Sequence, residues 1–336
     1  MTSTLNQDTS ISTGNLPSTK ELKSMSRLIF IMVLLVLGIY NGLAQQDAQY
    51  TQYMYNTIAV NPAYAGSRGT FTAMVLHRSQ WVGLDGAPIT QTLNVNSPVG
   101  RRVGLGLSIV NDEIGNGTNQ DTYFDIPVSY TVPVSEEGKL SFGVKAGGHL
   151  LSVDFNKLQN YDMEARGATA TSIDKKFSPN FGAGVYYHTD NFYSGLSIPN
   201  FLKTEHFDDS GESASYLAQE RMNWYFISGY IFEMNRDVKL KPAVLLKAVK
   251  GTPLQADLSA SLLLRDKFSM GLAYRWDAAV SAMVGFQFSD QFMAGLAYDR
   301  ETTALGNTRF NDGSFELFLR YEVFRRVSGT ISPRFF

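Results

Sequence analysis

The sequence has no cysteine, which excludes disulfides, thiolate metal sites and thiol nucleophiles. Its four histidines, His77, His149, His188 and His206, are scattered and never take the spacing of a metal or catalytic pair. Charged residues are scarce, at 18%, where soluble domains carry roughly 25%. They are also balanced, 29 Lys and Arg against 31 Asp and Glu, so there is no basic footprint for nucleic acid. Beyond residue 44 no apolar run reaches the roughly 20 residues of a transmembrane helix. That absence leaves a β-barrel open, because a barrel hides its membrane band in alternate residues. What is plentiful is aromatic and glycine: 22 Phe, 17 Tyr and 29 Gly.

The N-terminus reads as a targeting segment. Lys20, Lys23 and Arg27 precede an apolar run from Leu28 to Leu37, and Gly42-Leu43-Ala44 supplies small residues where a signal peptidase reads. Residues 1–44 are therefore an N-terminal extension and signal peptide, with cleavage expected after Ala44. Gly38, Asn41 and Gly42 interrupt the run too early for a spanning anchor. Residues 1–24 are polar and Ser/Thr-rich, and Met25-Ser26-Arg27 would make a compact signal start by itself.

Period-two alternation fills the rest. In Ser314 to Phe324, Phe315, Leu317, Leu319, Tyr321 and Val323 are apolar, with Glu316, Arg320 and Glu322 between them. Leu254, Ala256, Leu258, Ala260 and Leu262 alternate with Gln255, Asp257, Ser259 and Ser261, and Val238, Leu240, Val244 and Leu246 separate from Lys239, Lys241 and Lys247. A soluble β-sandwich also alternates, yet it has little need of aromatics near so many strand ends. Trp224, Tyr274, Trp276, Phe286, Phe288, Tyr298 and Tyr321 lie where the interfacial girdles of a membrane barrel would.

The fold class expected is all-β: a transmembrane antiparallel β-barrel of about 14 strands, of outer-membrane type. It spans residues 68–324, after an N-terminal segment at 45–67 and before a tail at 325–336. The three longest connections, 151–177, 200–220 and 300–313, all fall at one end, which would be extracellular; the short turns fall at the other. Pro127, Pro199 and Pro242 fit poorly, since proline cannot donate to a ladder; bulges or strand ends are needed there.

No chemistry emerges. There is no metal-ligand cluster, P-loop or G-x-S-x-G. The trio His149, Ser152 and Asp154 puts positions i and i+3 on opposite faces of a strand. Neither an enzymatic activity nor a cofactor is expected.

The stretch after the cleavage point carries the specific signal. Gln52, Tyr53 and Asn56 form a Q-Y-x-x-N lead-in, and Asn61-Pro62-Ala63-Tyr64-Ala65-Gly66 follows. An R-x-Q-W-V-G element holds Arg78, Gln80, Trp81 and Gly83, and a G-A-P-x-T-Q-T element begins at Gly86 and contains Pro88. Later come Ser197-Ile198-Pro199-Asn200, Gly271-Leu272-Ala273-Tyr274-Arg275-Trp276 and Ser332-Pro333-Arg334. Together these resemble the PorP/SprF family of outer-membrane proteins tied to the type IX secretion system of Bacteroidota, over nearly the whole mature chain.

The resemblance implies a non-enzymatic barrel of the secretion or gliding apparatus. It would support export and surface attachment of a particular secreted substrate, often an adhesin, recognised through its C-terminal domain. Partners would be that substrate, periplasmic and outer-membrane type IX components, and the lipid bilayer. Beyond the resemblance, outer-loop charges (Arg166, Lys175 and Lys176; Asp208, Asp209, Glu212 and Glu220) could dock a partner. Residues 45–67 are too polar to span, so they would plug the lumen or bind a periplasmic partner, with Tyr53, Tyr64 and Trp81 as candidate anchors. The alternative is an outer-membrane diffusion porin or small-solute transporter lined by Lys239, Lys241, Asp257, Glu316 and Arg320; a soluble periplasmic sandwich comes third.

Overall fold

The computed structural model describes residues 49–154, 157, 172–202, 205–207, 216–219 and 222–323. The expected cleavage site, the tail after residue 324, and Arg166, Asp208, Asp209, Glu212 and Glu220 lie outside them.

The described strands run β1 Phe71–Ser79, β2 Ile89–Val99, β3 Val103–Ile114, β4 Asn119–Pro133, β5 Lys139–Val153, β6 Ile173–His188, β7 Phe192–Ile198, β8 Glu205–Phe207, β9 Tyr216–Gln219, β10 Asn223–Tyr230, β11 Phe232–Glu233, β12 Val238–Val249, β13 Gln255–Leu264, β14 Phe268–Arg275, β15 Ala279–Gln287, β16 Phe292–Glu301 and β17 Ser314–Val323. Every pairing is antiparallel, and consecutive strands neighbour one another from β1 to β7 and from β12 to β17. β10 bridges β7 and β12, and β1 pairs with β17 from Phe71↔Val323 to Ser79↔Phe315. The sheet thus closes into a barrel of fourteen strands, with β11 continuing the β10 edge along β12. The small β8–β9 hairpin, inside the long connection after β7, carries no alternation signal in the sequence.

Alternation sets the faces. Leu317 is 54% exposed while its neighbour Glu316 is 1% exposed, and Leu258 and Asp257 divide the same way. Apolar side chains face outward around the barrel and polar ones are buried inside, the reverse of a soluble protein and the arrangement a bilayer selects. Outward aromatics gather at two heights. Trp224, Tyr274, Trp276 and the Tyr298–Phe315 pair sit near the long-loop end; Phe286–Phe288, Phe292–Tyr321 and Tyr230–Phe232 sit near the short-turn end. The chain is an integral outer-membrane barrel with extracellular loops and periplasmic turns.

The prolines are absorbed more simply than by bulges. Pairing between β3 and β4 lapses for two residues opposite Ile126 and Pro127, then resumes in the same register. The same happens between β10 and β11 opposite Lys241 and Pro242, where the Ile231 N–H turns to Asn191 O at 2.7 Å. Pro199 follows the end of β7.

Candidate functional site

Residues 49–67 do not extend away from the barrel. They form an arm that runs down its interior, and the chain enters β1 only at the short-turn end. The course follows from its contacts. Gln49 and Tyr50 lie beside Arg275, at the long-loop end of β14. Lower down, Asn94 Nδ2 donates to Asn56 Oδ1, in the middle of β2. Ser197 donates to Val60 O and, nearer the short-turn end, Ser129 to Ala65 O, both at 2.7 Å.

Three layers hold it. At the top, Arg78 bridges Asp299 at 2.8 Å and Glu316 at 3.3 Å. The arm completes this cluster: the N–H groups of Thr51 and Gln52 donate to the two Glu316 carboxylate oxygens at 2.9 and 2.8 Å, and the Thr51 hydroxyl donates to Asp299 at 2.5 Å. A buried ion pair is tolerable only when its remaining lone pairs are satisfied, and here the arm's backbone N–H groups do this for Glu316.

In the middle, Tyr55 packs on Phe318 at 4.9 Å between centroids with the rings tilted by 34°, and both Lys241 Nζ and the Arg320 guanidinium lie over its ring, at 5.3 and 5.6 Å.

At the bottom sits the N-P-A-Y-A-G element. After the one-turn helix α1 (Thr57–Val60), Asn61 caps a 3-10 turn over Pro62–Tyr64 by accepting from Ala63 N at 3.0 Å. Its amide donates to Val185 O at 3.1 Å. Ala63 is fully buried against Gly143, where any side chain would overlap the arm's backbone, and Asn61 lies against Gly184 and Gly195 in the same way. Tyr64 meets Tyr186 edge-on at 5.4 Å. Gly66 then turns the chain at φ +69, donating to Asn96 Oδ1 at 3.1 Å, and Arg68 pairs with Glu322 at the exit.

The second motif set sits at the opposite rim. Of the R-x-Q-W-V-G element only Arg78 reaches the lumen. Gln80 N bonds Pro88 O at 2.9 Å, closing the base of the first outer loop. Trp81 takes a left-handed φ of 49°, uncommon for a bulky residue, with its indole donating to Glu301 at 2.6 Å. Val82 and Gly313 clip this loop to the β16–β17 connection, and Gly86 O accepts from Gly115 N of the β3–β4 turn, both at 2.8 Å. Tyr53 and Tyr64 are buried along the arm; Trp81 is not beside them. Pro199 and Asn200 line a small cavity of about 80 Å³ against Tyr50, Val60 and Tyr225.

Sequence reading missed most of the wall residues that receive the arm, among them Asn94, Asn96, Ser129 and Asp299. The available signal was the run of glycine, serine and asparagine on inward positions, which marks space left for something. Among the described residues no group of three or more His, Asp or Glu could hold a metal ion.

A family model described as type IX secretion system membrane protein PorP/SprF matches residues 42–321. Comparison with curated proteins returns no match. Among solved structures, the toluene transporter TodX of P. putida is 9% identical with a TM-score of 0.47, over 80% of this chain and 93% of its own. Acinetobacter baumannii Omp33 is 8% identical with a TM-score of 0.43, over 76% and 99%. Likenesses at that level carry no argument about what this chain does.

Proposed function

The chain belongs to the PorP/SprF family of type IX secretion system membrane proteins, and from that premise we propose that it is a docking barrel whose lumen is closed at rest. It binds a particular secreted substrate at its outer face, through that substrate's C-terminal domain, and supports its export and surface attachment. On the periplasmic side it engages other components of the apparatus. Its work is binding and not catalysis.

The observation that carries the reading is the occupied lumen. An arm anchored at Glu316, Asn94, Val185 and Asn96 fills the interior, which suits a protein that works through its rims. The braced outer loop around Trp81 and Gly86, with Phe310 of the neighbouring connection 68% exposed, supports an outer docking face.

The second reading, a diffusion porin or small-solute transporter, draws on the polar wall beneath the arm. Gene deletion in the native host separates the two. Loss from the cell surface of one or a few type IX substrates, restored by the wild-type gene, is expected. Undiminished display of all such substrates, together with reduced uptake of small solutes, would favour the porin.

A further inference from the structure

The wall holds the ions, and the arm offers them only neutral donors, acceptors and rings. Residues 49–67 contain no Asp, Glu, Lys, Arg or His. Most of the wall's charges pair with one another: Arg78 with Asp299 and Glu316, Arg275 with Asp257 at 3.1 Å, Lys145 with Asp125 at 2.6 Å, and Arg320 with Glu322 at 3.7 Å, while the buried Lys241 lies over the arm's Tyr55 ring at 5.3 Å. Around them the buried inward face carries Thr92, Asn94, Asn96, Ser141, Ser259, Ser269 and Ser281. A wall that needed the arm for charge balance would place its counter-ions on the arm, and this one does not. What the arm supplies at the top and bottom layers is mainly amide N–H, carbonyl and hydroxyl groups, which water can replace.

From this separation we propose a further activity: the arm is a displaceable plug, and its withdrawal turns the lumen into a water-filled path for ions and small polar solutes. The resting state is closed because the arm also buries Tyr53, Met54, Ile58, Val60 and Tyr64 against Tyr186, Tyr193, Ile227, Leu245 and Leu263. Opening therefore needs a partner that offsets this burial. The wall left behind joins polar and mostly paired charged side chains to the apolar patch that held the arm, and its strand number encloses a channel once empty. This goes beyond the secretion role and stands or falls independently of it.

Single-channel recording in planar bilayers tests it without any secreted substrate. The wild-type mature chain is expected to be silent, and a variant lacking residues 49–66 to carry a steady current. A synthetic peptide of residues 49–66, added to that variant, should abolish the current. If the deletion fails to insert as a heat-modifiable barrel, Gly143→Leu carries the test, because it evicts Ala63 while leaving the wall charges in place. A steadily conducting wild type overturns the proposal. So does a deletion variant, or a Gly143→Leu variant, that migrates as a folded barrel and passes no current.

Discussion

Glu316, on the strand that closes the barrel, accepts the backbone N–H of Gln52 at 2.8 Å across 264 residues of sequence. Its other oxygen takes the Thr51 N–H, and the carboxylate also faces Arg78. One side chain thus joins the first strand, the last strand and the arm.

Glu316→Leu leaves Arg78 with Asp299 as its one carboxylate and orphans two buried N–H groups. Breaking a buried pair in this way costs about 3–5 kcal/mol. The temperature at which the protein shifts from folded to unfolded gel migration should fall clearly. Glu316→Gln, which still accepts from one N–H, should fall less; equal losses would mean that the charge matters and the hydrogen bonds do not.

Gly184→Val puts a branched side chain where the Asn61 carboxamide lies. The arm should lose its seat while the barrel persists. Limited proteolysis of purified protein in detergent is expected to cut within residues 50–66 of the variant and to spare the wild type. Equal resistance would show that the arm does not depend on this notch.

Leu272 projects from the middle of β14 and is 65% exposed to the membrane. Leu272→Arg should destabilise the barrel by roughly 2–4 kcal/mol in urea titrations with lipid vesicles. Trp276→Arg, at the interfacial end, should cost about 0–1 kcal/mol by the same depth rule. Indistinguishable effects would place the bilayer elsewhere on the barrel.

Gly83 has φ +100, and a Cβ there would lie 2.6 Å from Phe310 O. Gly83→Ala should free the first outer loop from the β16–β17 connection. Protease added to whole cells should then cut near residue 83, with the barrel's thermal transition little changed. A variant as resistant as the wild type would mean that other contacts suffice to hold the loop.

Much of the barrel was legible because its rule is local. A strand needs only every second residue to be greasy, so Ser314–Val323 and Gln255–Leu264 declare both their extent and their facing. Strands β5 and β6 outran the pattern, reaching Val153 and starting at Ile173. Lys175 and Lys176 lie at that overhang, where no apolar face marks the chain. The N-terminal motifs could likewise be found, but not understood: Asn61 and Pro62 are informative as letters, while their meaning lies in Gly143, Gly184 and Val185, more than 80 positions away.

The sequence by itself determined that this chain is a membrane barrel, about how many strands close it, which way the alternating residues face and which family it joins. Those properties depend on spacing along one strand at a time. Only the tertiary structure decided what lies inside: that the arm threads the lumen, that Glu316 grips its backbone, and that Trp81 and Tyr64 serve opposite rims. Contacts of that kind join residues far apart in sequence through backbone groups and missing side chains, and neither leaves a periodic trace.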